Sequence, residues 1–335
     1  MCSWLILLLL LAACDIAPAA PGGTPPADAA SEAGASPAPD TPAPGSPAPE
    51  APAAPEASEP APGQPDSEAP AAVNTFTNPL KSQAGADPWI AYHEGNYHLI
   101  TTSWTSTLSM RRSPTLEGLA TAPDSDPLGP YSYRGGLNTG TWQLDASVLR
   151  IAGDLYLMGT YHSGGTQNLS IQAMSDPYTL TGGVQTLSVP THDWEMQGAP
   201  VNEGPEPLYH DGRTFVVYSA SACWTADYKL GLLEYTGGDP LDRASWIKSP
   251  EPVFERSDAN GVYGPGHNGF FTSPDGTENW IVYHANDDAG DGCDNGRTTR
   301  AQRFTWSEDG TPNFGEPVAL GVTLDAPSGE VAATD

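Results

Sequence analysis

The chain has 335 residues, with 41 acidic against 13 basic side chains and a formal net charge of −28. A balance this negative excludes nucleic acid and anionic lipid as electrostatic partners. It is compatible with a neutral ligand such as a carbohydrate without selecting one.

The chain opens with Met1-Cys2-Ser3-Trp4, an apolar run from Ile6 to Ala13, and Cys14. The run is too short for a bilayer span, which takes about 20 residues, and residues 1–14 read as a signal peptide. Leu11-Ala12-Ala13-Cys14 resembles a bacterial lipobox, which would make Cys14 a lipidated N-terminus and the membrane a partner through that anchor alone. The expected location is the bacterial cell envelope, facing outside the cytoplasm, or the medium. Residues 15–72 are almost all Ala, Pro, Gly, Ser, Thr, Asp and Glu, with nine acids and no base. Such a composition cannot bury a core and predicts a disordered, semi-extended tether. Residues 73–335 are long enough for one substantial domain.

Within that domain a strand-like segment with an aromatic centre recurs, anchored on Tyr97, Tyr156, Phe215 and Trp280, which stand 59, 59 and 65 residues apart. A repeat of this size built from β-type segments predicts propeller blades in an all-β domain. Asp211-Gly212, Asp275-Gly276 and Asp309-Gly310 read as tight turns. Val216-Val217-Tyr218 and Ile281-Val282-Tyr283 read as strands buried on both faces. Asp87, Asp145, Glu203 and His267 precede their anchors by 10, 11, 12 and 13 residues. If those segments are the innermost strands, three carboxylates and an imidazole converge on one axis. Trp89, Trp142, Trp194, Trp224 and Tyr263 lie near these segments. Most propeller aromatics are core, and a few near the axis could stack on sugar. Cys223 and Cys293 are the cysteines left outside the leader, and an exported domain is expected to pair them. The acidic loop from Asn286 to Gly292 lacks the spacing of a calcium-binding EF-hand and reads as a solvated loop.

Four motifs together resemble glycoside hydrolase family 43. They are Ala86-Asp87-Pro88-Trp89, Leu144-Asp145-Ala146-Ser147, Asn202-Glu203-Gly204-Pro205-Glu206 and Gly264-Pro265-Gly266-His267-Asn268. The flanks Tyr218-Ser219-Ala220-Ser221, Trp280-Ile281-Val282-Tyr283-His284 and Gly296-Arg297-Thr298-Thr299-Arg300 agree, so the resemblance covers residues 75–330. It implies a five-bladed propeller with a funnel on its axis and an inverting glycosidase that needs no cofactor. Asp87 matches the general base, Glu203 the general acid, and Asp145 the acid that raises and orients Glu203. Arg297 matches a sugar contact, with an ion pair as the alternative, and Trp89 stands where it could face substrate. His267 matches a substrate-side position where some members hold a calcium through waters; the alternative is a histidine bonded to neighbouring backbone.

Four blades are recognisable, because the family's second blade has no counterpart between Leu119 and Asp126 and the spacing leaves no room for it. The implied function is an exo-acting α-L-arabinofuranosidase, working as a monomer on plant cell-wall arabinan or arabinoxylan or their oligosaccharides. The alternatives are a β-xylosidase or endo-arabinanase of the same family, or a glycan-binding lipoprotein that the missing blade has inactivated.

Overall fold

The computed structural model describes residues 74–103, 108–125, 132–133 and 135–331. The expected leader, the Cys14 anchor and the tether therefore lie outside the described residues. The domain begins with a short strand, β1 (Thr75–Thr77), followed by four antiparallel sheets arranged as a four-blade β-propeller. Blade one holds β2 (Ala86–His93), β3 (Asn96–Thr102) and β4 (Ser109–Ser113). Blade two holds β5 (Gln143–Ile151), β6 (Asp154–Ser163), β7 (Thr166–Asp176), β8 (Thr179–Leu180) and β9 (Gln185–Ser188). Blade three holds β10 (Asn202–His210), β11 (Arg213–Ala220), β12 (Lys229–Tyr235) and β13 (Trp246–Lys248). Blade four holds β14 (Tyr263–Thr272), β15 (Asn279–Asn286), β16 (Thr298–Trp306) and β17 (Pro312–Asn313). A last strand, β18 (Thr323–Asp325), returns to pair with β1.

The turns explain why neighbouring strands pair in sequence. Glu94-Gly95, Ala152-Gly153 and Asp211-Gly212 join the first two strands of blades one, two and three, each pair with positive φ at both residues. That is the backbone of a two-residue type I′ hairpin, whose twist matches the strands it joins.

The middle strands then divide their side chains by the period of two. On β11, Phe215 and Val217 enter a cluster shared with Ile281, Tyr283 and Ala285 of β15. Val216, Tyr218 and Ala220 enter one shared with Tyr156 and Met158 of β6. On β15, Trp280 and Val282 join Tyr97 and Leu99 of β3, and Phe76 and Ala326 of the paired chain ends complete that cluster. Blades two and three, three and four, and four and one are thus cemented by apolar side chains. The second faces of β3 and β6 enter no such cluster among the described residues. The seam without a shared apolar cluster among the described residues falls between blades one and two, where the sequence lacks the family's additional blade, although Ile100 and Leu157 on those faces are buried. In keeping with this, β5 is only partly buried along most of its length, whereas β14 is mostly buried.

A polar network anchors the start of β10. Glu195 is fully buried and sits 2.6 Å from Lys248 Nζ. It also accepts from Tyr218 Oη at 2.9 Å and from Asn202 Nδ2 at 2.8 Å, next to Glu203. Removing one partner of a buried pair leaves a charge without compensation, a loss of about 3–5 kcal/mol. Lys248→Met is expected to lower unfolding free energy by that amount in a denaturant titration, with part recovered in the Lys248→Met/Glu195→Gln double variant. A loss below about 1 kcal/mol would put the network among ordinary surface pairs.

Candidate active site

Every innermost strand is interrupted at the axis by a β-bulge. The register shifts fall between Ala86 and Trp89, Leu144 and Ser147, Glu203 and Glu206, and Gly266 and Gly269. A bulge adds one residue and re-aims the side chain it carries. At Asp87, Asp145 and His267 the backbone is left-handed, with φ of 51°, 55° and 48°. Asp tolerates this region better than most residues, because its short polar side chain bonds locally.

In blade three the equivalent left-handed residue is Gly204, φ 54°. Glu203 stands one position earlier, paired with Ser219 as Ala86 is with Thr102. The expectation that Glu203 shares one repeat position with the two aspartates and His267 is therefore corrected by one residue. The reason is space: a Cβ at Gly204 would come within 3.2 Å of the His267 ring. Glycine at the axis lets the imidazole occupy it, and the carboxyl enters from the neighbouring position.

Asp87, Asp145, Glu203, His267 and Arg297 all line one cavity of about 640 Å³, a volume in the range of small-ligand sites. Asp87 Oδ1 lies 3.2 Å from His267 Nδ1 and 3.7 Å from Arg297 Nη1, while Thr102 donates to its Oδ2. Burial pushes its carboxyl up, but His267, His284, Arg297 and the Thr102 hydroxyl together outweigh burial and hold it at about 2. Glu203 goes the other way. Burial first, then the charge of Asp145, push its carboxyl up to about 7. Like-charge repulsion was the expected cause of this rise; burial is the larger one. Asp145 is also raised by burial, against the pull of His267. It accepts from Thr160 Oγ1 at 2.9 Å and from the Gly204 N–H at 3.3 Å, which ties it to the backbone beside Glu203.

His267 is raised: burial alone would lower it, but Asp87, Asp145 and Glu203 prevail. Its Nδ1 faces Asp87, and its Nε2 is 4.0 Å from Asp145. Its backbone N–H donates to Ser219 Oγ at 2.7 Å. Both ring nitrogens of His267 are thus turned to carboxylates. Among the described residues no group of three or more His, Cys, Asp or Glu is arranged to hold a metal.

Trp89, expected toward substrate, does not line the cavity. The bulge turns its ring against Gly269, and its indole N–H donates to Glu206. Burial raises Glu206 to about 8, but this carboxyl does not line the cavity either, which leaves Glu203 and Asp145 as the raised acids within reach of a ligand. Cys223 and Cys293 form a disulfide with Cα atoms 5.2 Å apart, and both line the cavity beside Trp224.

Four supporting residues were not singled out from the sequence. Thr102 and Thr160 had a signal, since each stands 15 residues after the aspartate it bonds. Gln167, which donates to Glu203 Oε2, and Tyr228, which donates to Oε1, have no such spacing.

The family model described as glycosyl hydrolases family 43 matches residues 117–312. The chain belongs to that family. It is 36% identical over 314 residues to an extracellular exo-α-(1→5)-L-arabinofuranosidase of Streptomyces avermitilis, covering 74% of this chain and 65% of that protein. It is 33% identical over 271 residues to a protein of the same description from Streptomyces chartreusis, covering 63% and 82%. The fold resembles the crystal structure of an α-L-arabinofuranosidase from Lactobacillus brevis, with a TM-score of 0.66, 29% identity, and coverage of 74% of this chain and 98% of that one. Other relatives are longer: the chain spans 50% of an α-L-arabinofuranosidase from Humicola insolens.

Proposed function

We propose that the domain is an inverting, exo-acting α-L-arabinofuranosidase that removes arabinose from arabinan or arabinoxylan side chains. The observation that carries this reading is the opposed pair of carboxyls on one cavity, Glu203 at about 7 and Asp87 at about 2. Near neutral pH one can still give a proton while the other can only take one, the division of labour that glycoside hydrolysis by inversion requires. The names of the family relatives support arabinofuranoside as the substrate.

In the proposed reaction Glu203 gives its proton to the glycosidic oxygen as the anomeric carbon–oxygen bond breaks. A water on the opposite face of the sugar attacks the anomeric carbon and gives a proton to Asp87. One water is consumed, and the two carboxyls return to their starting states by exchanging protons with solvent. Asp145, bonded to the Gly204 N–H, orients the acid and keeps it protonated. Arg297, in the wall beside Asp87, is positioned to contact sugar hydroxyls. No step passes through a metal. The words "extracellular" in the Streptomyces names and the leader-like residues 1–14 support export, which activity in the cell envelope or medium rather than the cytoplasm would test.

The decisive experiment offers purified protein an aryl α-L-arabinofuranoside and an aryl β-D-xyloside and follows early product by proton NMR. Faster release of arabinose, appearing first as the inverted anomer, is expected. A retained anomer overturns the mechanism, preference for xyloside overturns the substrate, and binding of arabinan without turnover overturns the enzyme reading.

A further inference from the structure

Tyr228 lies one residue ahead of β12 and is fully buried beneath the cavity wall. Its hydroxyl donates to Glu203 Oε1 at 2.6 Å. Its ring lies parallel to that of His284, with centroids 5.7 Å apart and an interplanar angle of 7°. His284 Nδ1 in turn accepts the backbone N–H of Asp87 at 3.2 Å. The chain makes room for this ring: a Cβ on Gly266 would fall 2.3 Å from Tyr228 Cε1. The second glycine of Gly264-Pro265-Gly266 thus serves a side chain on another blade.

We propose that Tyr228 is a positioning residue for proton transfer: its hydroxyl holds the Glu203 carboxyl, and its ring, stacked on His284, sets that carboxyl's place relative to Asp87. The proposal rests on the reading of Glu203 as acid and Asp87 as base. A donor on Oε1 gains strength as Glu203 gives up its proton, so it stabilises the transition state more than the ground state. The charged groups facing Glu203 come from three other blades: Asp87 on β2, Asp145 on β5 and His267 on β14. Without the phenol oxygen, burial and the two aspartates would be opposed only by the charge of His267 and the Gln167 amide on Oε2. Glu203 would then become a weaker acid that stays protonated to higher pH.

The test compares wild type, Glu203→Ala, Tyr228→Phe and Gly266→Ala on dinitrophenyl and methyl α-L-arabinofuranosides. Tyr228→Phe should lose roughly 10- to 100-fold in kcat on the methyl glycoside, the effect of one hydrogen bond to a charged group. It should lose only a few-fold on the dinitrophenyl one, with KM little changed, and its alkaline limb should move upward. Gly266→Ala displaces the ring without removing the hydroxyl, and should reproduce the leaving-group dependence. Equal losses on both substrates in Tyr228→Phe, or an unmoved alkaline limb, would overturn the role of Tyr228 provided Glu203→Ala discriminates between the substrates. If Glu203→Ala itself loses equally on both, the acid assignment fails and the proposal falls with it.

Discussion

Glu203→Ala should slow hydrolysis of alkyl arabinofuranosides and natural side chains by about 10²–10⁴-fold, the usual contribution of a positioned proton donor. The same variant should spare most of the rate on a dinitrophenyl arabinofuranoside, whose leaving group departs without protonation. The pH profile gives an independent reading of the same residue. Glu203 acts in its protonated form, and burial with the neighbouring Asp145 charge pushes its carboxyl up to about 7. Activity of the wild type on the alkyl substrate should therefore fall as pH rises through about 7, and that limb should vanish in Glu203→Ala. An unchanged limb would assign it to another group. Asp145, which is also raised and lines the cavity, is the residue to replace next, and then Glu206, raised to about 8 but outside the cavity lining.

The blades were legible because each is written the same way: an X-Gly turn, then an aromatic that packs between neighbouring sheets. Tyr97, Tyr156, Phe215 and Trp280 all enter the inter-blade clusters. The axial acids were legible for a related reason, since each bulge presents one side chain to the same line. The exact residue in blade three was not. Distances of 10, 11, 12 and 13 to the anchors conceal the fact that Gly204, not Glu203, holds the bulge position, and only the crowding of His267 reveals why. Trp89 does not line the cavity, because its ring lies against Gly269 and its indole N–H donates to Glu206, contacts that no sequence spacing announces. Tyr228 was invisible because its partners lie on β10 and β15, and no spacing along the chain encodes a ring stacked across blades. The Cys223–Cys293 bridge could be expected by elimination. The seam between blades one and two could be expected as a missing repeat, but which faces lack a shared apolar cluster among the described residues required the three clusters themselves.

Asp87→Gly is expected to abolish turnover on alkyl and dinitrophenyl substrates alike, by about 10²–10⁴-fold or more, because no leaving group replaces the base. Glycine is the informative substitution at this site. Asp87 has φ 51°, where a non-glycine residue without a locally bonding side chain is strained by roughly 1–2 kcal/mol. Asp87→Ala would therefore mix loss of the base with backbone strain, whereas Asp87→Gly removes the carboxylate and suits the conformation. Its removal leaves His267 Nδ1 and Arg297 Nη1, which lie 3.2 and 3.7 Å from Oδ1, without the anion they face. A small anion should be drawn into that space, so azide should restore part of the rate on the dinitrophenyl substrate and yield the azide of inverted configuration. The two substitutions then separate the causes. If Asp87→Ala is inactive while Asp87→Gly keeps near wild-type turnover, the residue shapes the bulge and the base lies elsewhere. If both are inactive, melt within a few degrees of wild type, and respond to azide, the carboxylate of Asp87 is what receives the proton from water.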